Sequence, residues 1–216
     1  MVNRQLTPAS NKCSANGSVT VVDLDGTYLT CNSLTLYLKV ALKYAATHLR
    51  IDRVMGISLL CILRKLRLVS HETMKYKAIS IAGEAPRMRE DFRCAAREKI
   101  NREVEKFLKD RSGKGDTILL ATAAADCYVP LVWDGEFIAS PMGGPDKRGV
   151  RKRDAVMRWI TGRGLKISNF LTDHHEDLPL AEYVADNGGN VILVNPSPKT
   201  IQKFNSTVQS ARLTLE

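Results

Sequence analysis

The sequence predicts an α/β fold, a parallel β-sheet flanked by helices with a helical cap inserted after the first strand–helix unit. Three observations predict it. Short β-branched runs alternate with helical periodicities over the last hundred residues, the pattern of a parallel sheet with helical crossovers. A block of roughly sixty residues between the first two strands carries helical spacing only, too long for one crossover. Carboxylates recur directly after apolar strand runs, the edge at which ligands bind in such sheets.

Taken in order, "SVTVVDLD" from Ser18 reads as a buried strand. Residues 33–49, "SLTLYLKVALKYAATHL", read as a helix with Asn32 or Ser33 as its N-cap. Residues 50–112 read as helices: one begins near Ser70, and residues 86–110 form one long amphipathic pattern. "GKGD" is a turn, and "TILLAT", 117–122, is the second strand. A weak helix is expected over "AADCYVPLVWD", then a strand at 136–140 and a loop over "PMGGPDKRG". "VRKRDAVMRWITGRG" is a helix stopped by glycine, and 167–172, "ISNFLT", is a strand. A helix over "EDLPLAEYVAD", a strand "NVILVN" and a helix "PKTIQKFNSTVQ" close the series. The expected organisation is a core of 18–45 and 113–216, a cap of 46–112 and a flexible tail of 1–17.

The 216 residues suit one domain, or one core domain with a large insertion. No apolar run approaches the roughly 18 residues of a membrane span, the longest being "ISLLCIL" at 57–63. The five cysteines, Cys13, Cys31, Cys61, Cys94 and Cys127, are odd in number and scattered, which argues against a disulfide framework or a cysteine zinc site. A reducing cytoplasm is the expected compartment. The net charge of +9 is uneven: residues 50–115 hold 17 Lys and Arg against 9 Asp and Glu, the remainder 15 against 14. Such a region attracts anions or forms a solvated helical face.

Four groups of polar residues fall at strand ends. Asp23 and Asp25 follow the first strand in "TVVDLDGTYL", Thr122 ends the second, and Asp173 and Asp177 follow "ISNFLT". Lys152 lies in the first turn of the preceding helix. Gathered carboxylates repel and call for a cation. An oxygen-rich site that keeps waters suits Mg²⁺, which would hold a phosphate as well. Lys152 adds a fixed positive charge, and the Thr122 hydroxyl with nearby backbone N–H groups can bind phosphate oxygens.

These residues resemble the haloacid dehalogenase superfamily of phosphohydrolases. Its Asp-x-Asp-Gly-Thr motif is matched by Asp23-Leu24-Asp25-Gly26-Thr27, its strand-end Ser/Thr by Thr122, its Lys by Lys152, and its late acidic pair by Asp173 and Asp177. "SHETMKYKAI" and the helices after it look like the C1-type helical cap of the phosphoserine phosphatase-like branch. The resemblance implies a Rossmann-like core and a Mg²⁺-dependent phosphatase acting on a small phosphorylated metabolite. Asp23 would be the nucleophile, and Asp25 the acid that protonates the leaving oxygen and later activates water. Mg²⁺ would be held by Asp23, the Asp25 carbonyl and Asp173, with Asp177 acting through the metal's waters or orienting Lys152.

The chain departs from that branch at two points. His174 stands where Gly-Asp-Ser motifs carry Ser, and Asn32 stands where phosphoserine phosphatases carry a Glu for the substrate amine. "DKRGVRKRD" also offers Lys147, Arg148, Arg151 and Arg153 as basic neighbours, but Val156 and Trp159 give the Lys152 helix its apolar face. His174 and His175, adjacent on a loop, are expected to point apart rather than to bind metal together. "KRGVRKR" also looks like a nucleic-acid patch, but no nucleic-acid fold signature accompanies it. The basic, apolar stretch 50–69 is expected to pack against the other cap helices, with a membrane surface as the alternative. Competing readings are a phosphotransferase, a lipid-phosphate phosphatase, a non-catalytic binder of nucleic acid or other polyanions, and a signalling receiver domain. Receivers use an Asp, a Thr and a Lys in that order but are shorter.

Overall fold

The computed structural model describes residues 17–207. Cys13 and the expected N-terminal tail, apart from Gly17, lie outside them. Five strands, β1 (Ser18–Val22), β2 (Thr117–Ala125), β3 (Glu136–Ser140), β4 (Lys166–Thr172) and β5 (Asn190–Leu193), form one parallel sheet in the order β3-β2-β1-β4-β5. β1 is central and buried from Val19 to Val22, as its β-branched run requires. Its register sets Val22 beside Leu120 of β2 and Leu171 of β4. The next residue, Asp23, therefore emerges level with the carboxyl ends of both neighbours, and its N–H donates to the Leu171 carbonyl at 3.0 Å.

Helices cover both faces. Val19, Val21, Leu119 and Phe170 pack with Val156 and Ile160 of α6 (Val150–Thr161). Leu180 and Val184 of α7 (Leu178–Asp186) and Phe204 of α8 (Pro198–Thr207) complete that layer. On the other face, Val22, Leu120 and Leu171 join a core built from α1 (Ser33–Thr47), α2 (Ile51–Lys65), α3 (His71–Ala82), α4 (Pro86–Arg97) and α5 (Arg102–Gly113). Helices α2, α3 and α4 pack on α1, while α5 packs on β2. The helix starts follow local chemistry: Asn32, Ser70 and Asn101 cap α1, α3 and α5 through side-chain oxygens, and Pro86 opens α4.

Three expectations change. The long pattern 86–110 is two helices, because Thr30 N–H donates to the Lys99 carbonyl and Asn101 N–H to the Tyr28 carbonyl, both at 2.8 Å. The segment after Arg97 thus spends its backbone groups on the loop behind β1 instead of on a helix. "AADCYVPLVWD" holds a single 3₁₀ turn, Val129–Leu131. β2 continues past Thr122 to Ala125, with a register shift against β3 between Ala121 and Ala125. The stretch 50–69 does pack on neighbouring helices, α2 meeting α1 and α3 with Ile57 and Leu60 buried, while Ile51, Met55, Leu59, Ile62 and Leu66 on its outer side are exposed.

Away from the strand tips, Asp116 fastens the start of the sheet. Its carboxylate accepts from Thr20 Oγ1 at 2.6 Å, Ser168 Oγ at 2.9 Å, Arg111 Nε at 2.9 Å and the Ser18 hydroxyl. Burial pushes this carboxyl up, but Arg111 and the three hydroxyls outweigh it and hold it well below the usual carboxylate range.

Candidate active site

The loop after β1 turns at Gly26, whose φ of +79° suits glycine. A side chain there would also collide with Asp173, since an added Cβ would lie 2.6 Å from its Cγ. The turn returns Tyr28 N–H to the Asp23 carbonyl at 3.2 Å and Leu29 N–H to the Leu24 carbonyl at 2.8 Å. It aims Asp25 at the start of α1, where the Ser33 N–H donates to Asp25 Oδ1 at 2.7 Å. Asn32 Nδ2 approaches Asp25 Oδ2 at 3.5 Å while its own Oδ1 caps α1 through Thr35 N–H at 2.9 Å. Burial nevertheless pushes the Asp25 carboxyl above its ordinary value, against the hydrogen bonds from Ser33.

Lys152 lies in the first turn of α6, which follows Gly149 at φ +51°. Its buried Nζ donates to Asp23 Oδ1 at 2.9 Å and stands 2.7 and 2.8 Å from the two oxygens of Asp177. Thr172 Oγ1 donates to Asp177 Oδ2 at 2.8 Å, so both Asp177 oxygens are committed to protein groups. Burial opposes the Lys152 charge, but the two carboxylates prevail and hold its pKa above the usual lysine range. Of its basic neighbours, Arg151 reaches Glu72 at 3.7 Å and Arg153 pairs with Asp154 at 2.8 Å. One ammonium shared between two carboxylates under-compensates Asp23. Burial first, with Asp177 and Asp25 adding repulsion, pushes its carboxyl up to about 7 despite Lys152.

A cavity of about 280 Å³ opens on this cluster, lined by Asp23, Asp25, Thr122, Lys152, Asp173 and Asp177 among others. All six residues that the sequence singled out thus border one space. Thr122 is buried, its Oγ1 accepting from the Ala124 N–H at 3.0 Å. It sits where β2 loses regular register, not at the strand's end. Asn32, Arg148, His174 and Glu176 also line the cavity. Of these, Glu176 was missed; its place in "HHED", on the 3₁₀ turn His175–Asp177, was the available signal. The His174 and His175 rings do not diverge. Their centroids lie 4.2 Å apart, and His174 Nδ1 accepts from the Glu176 N–H at 3.3 Å, capping that turn.

Whether this site suits Mg²⁺ turns on its donors. Among the described residues no three His, Cys, Asp or Glu side chains form a closed metal cage. A Mg²⁺ site does not demand one, since the ion keeps several waters and takes one or two carboxylates plus phosphate oxygens. Asp23 and Asp173 meet that requirement in one cavity, where the Thr27 hydroxyl lies 3.5 Å from Asp173 Oδ1. Burial pushes both carboxyls up, the condition that a bound divalent cation reverses. The donor set fits.

A second cluster, unforeseen, joins α3 to the loop before α6. Lys75, almost wholly buried, ion-pairs with Asp146 and donates to the Ala123 carbonyl at 2.9 Å. Tyr76 OH donates to Asp146 Oδ1 at 3.0 Å, and the Asp146 N–H donates to Glu72 Oε1 at 3.1 Å. Arg148, beside the cavity, lies 3.5 Å from Asp146 and 3.7 Å from Glu176. No local pattern announces a pair 71 residues apart.

This parallel core, with helices inserted between β1 and β2, has a haloacid dehalogenase fold of the phosphoserine phosphatase-like type. Solved structures bear out the fold. A protein of unknown function from Bordetella pertussis Tohama I superposes with a TM-score of 0.69 at 19% identity, over 93% of this chain and 100% of that one. A HAD-family hydrolase from Salmonella enterica serovar Typhi gives 0.62 at 11% identity, over 92% and 68%. A phosphoserine phosphatase in a phospho-aspartyl intermediate analogue gives 0.54 at 12% identity, over 93% and 94%. No protein-family model and no curated protein matches the sequence.

Proposed function

We propose that the protein is a Mg²⁺-dependent phosphatase that hydrolyses a small phosphomonoester through an aspartyl-phosphate at Asp23. The observation that carries this reading is the contact of Lys152 with both Asp23 and Asp177 inside the cavity that Asp25, Thr122 and Asp173 also line. Asp23 and Asp173, with the Asp25 carbonyl, would hold the ion, which would neutralise phosphate oxygens and orient the phosphoryl group. Lys152, oriented by Asp177, fixes the Asp23 carboxylate and adds positive charge beside the transferring group. Thr122 donates its hydroxyl to a phosphate oxygen.

Asp23 Oδ attacks phosphorus as the bond to the leaving oxygen breaks, and Asp25 gives that oxygen its proton. Asp25, now a carboxylate, takes a proton from water as the water attacks phosphorus, releasing phosphate and restoring Asp23. An ordinary aspartate would be only about 0.1% protonated at pH 7, so the upward push from burial on Asp25 serves the first step. Residues 46–112 serve as the cap, and the Lys75–Asp146 contact holds it to the core.

The phosphorylated metabolite is the first substrate class. A lipid phosphate is the second, favoured by the exposed apolar residues of α2. A phosphate-release screen over both classes, with Mg²⁺ and with EDTA, tests the reading. Release should require Mg²⁺ and vanish in Asp23→Asn; release that persists in Asp23→Asn removes Asp23 as nucleophile.

A further inference from the structure

Helix α2 has two unlike sides. Ile57 and Leu60 are buried, and the helix packs on α1 and α3. Ile51, Met55, Leu59, Ile62 and Leu66 recur every three or four residues, which places them on one stripe of a helix, and that stripe faces solvent. Leu49, 82% exposed, and Leu68, 69% exposed, extend it at both ends. Among the described residues, seven of the nine exposed large apolar side chains thus fall within 49–68. Scattered exposed leucines are ordinary, whereas a contiguous apolar stripe marks a surface that something covers.

Charge identifies the occupant. Residues 50–69 hold Arg50, Arg53, Arg64, Lys65 and Arg67 against Asp52 alone. Arg50 pairs with Asp52 at 3.0 Å, and Arg53 donates to the Ala82 carbonyl at 2.7 Å. Arg64, Lys65 and Arg67 are exposed at the C-terminal end of the stripe, and among the described residues none of them pairs with a carboxylate. A second copy of this surface would bring like charge to like charge. A bilayer carrying anionic headgroups answers both properties, taking the apolar stripe into its interface and the cations at its phosphates.

We infer that residues 49–68 form a membrane-surface site, with the exposed stripe of α2 lying in the interface of an anionic bilayer and Arg64, Lys65 and Arg67 on its phosphate headgroups. Vesicle binding at this site is read without turnover, so its failure is distinguishable from failure of the phosphatase reading. The test is co-sedimentation of the whole protein with vesicles of phosphatidylcholine alone and of phosphatidylcholine mixed with phosphatidylglycerol. Binding is expected to the mixed vesicles, with at least tenfold weaker binding to the neutral ones. Leu59→Glu with Ile62→Glu should abolish it, and Arg64→Ala with Lys65→Ala should weaken it about tenfold or more. Circular dichroism should show the helical content of these surface variants unchanged. Three results would overturn the inference: no binding to mixed vesicles, binding unchanged in the double Glu variant, or a stable dimer that the double Glu variant dissolves.

Discussion

Asp23 and Asp25 stand two residues apart and meet different surroundings. Asp23 shares Lys152 with Asp177, and Asp25 faces the N–H groups that begin α1. Asp25→Asn should keep the fold and lower kcat about 10²- to 10⁴-fold, most for poor leaving groups, because the proton donor is lost. Stopped-flow release of leaving group from aryl phosphates of graded pKa checks this. The Asp23 carboxyl, at about 7 in the folded protein without metal and 3.8 as its ordinary value, binds protons more tightly folded than unfolded. Its contribution to stability therefore falls as pH rises from about 4 to about 7. Urea unfolding in EDTA across that window should show the decline, and Asp23→Asn should flatten it. Asp116 has the opposite sign. Its depressed carboxyl contributes stability above its ordinary value of 3.8 that is lost as pH falls, and Asp116→Ala should cost about 2–4 kcal/mol at neutral pH by stranding Arg111 and three hydroxyls.

At the scale of elements, helices α1 and α2 each end on a left-handed residue that is not glycine, Leu49 at φ 54° and Arg67 at φ 59°. An L-side chain pays about 1 kcal/mol or more there. Leu49→Gly should raise the unfolding free energy by about 1 kcal/mol, read from the urea midpoint. Part of the layout was legible because β1 writes itself as a β-branched run ended by Asp23, and α1 and α3 as helical periods opened by the capping side chains Asn32 and Ser70. The break inside 86–110 was not, since periodicity continues through it and only long-range backbone bonds to Tyr28 and Thr30 stop the helix. Asn101, the cap of α5, was the local clue. The continuation of β2 beyond Thr122 was equally hidden, because Ala123 to Ala125 carry no strand signal and the strand regains its pairing with β3 only where Ala125 meets Ser140. The site residues were legible for another reason: Asp23, Asp25, Thr122, Lys152, Asp173 and Asp177 all sit at or near strand tips or a helix start, whose positions the topology brings together.

Across the whole molecule, α3 and the loop before α6 meet at a buried ion pair. Lys75 is on α3, Asp146 is on the loop leading to the Lys152 helix and also bonds Glu72 through its N–H, and Arg148 extends the contact to the rim of the cavity. Removing one partner leaves a buried charge, so Lys75→Met should cost about 3–5 kcal/mol, and adding Asp146→Leu should recover part of it. If this contact holds the cap in place, Lys75→Met should also raise KM more than it lowers kcat, a split that steady-state kinetics reads directly. The geometry of the site rests finally on the convergence of β1, β2 and β4 with α6 around Asp23, and on that carboxylate being the group that takes the phosphoryl. Acid-quenched turnover with Mg²⁺ and a phosphomonoester, followed by peptide mass spectrometry, tests it most directly. One phosphoryl group is expected on the peptide bearing Asp23, absent when EDTA replaces Mg²⁺ and absent in Asp23→Asn. Turnover that leaves Asp23 unmodified, with the phosphoryl on another residue or with full activity in Asp23→Asn, would contradict it.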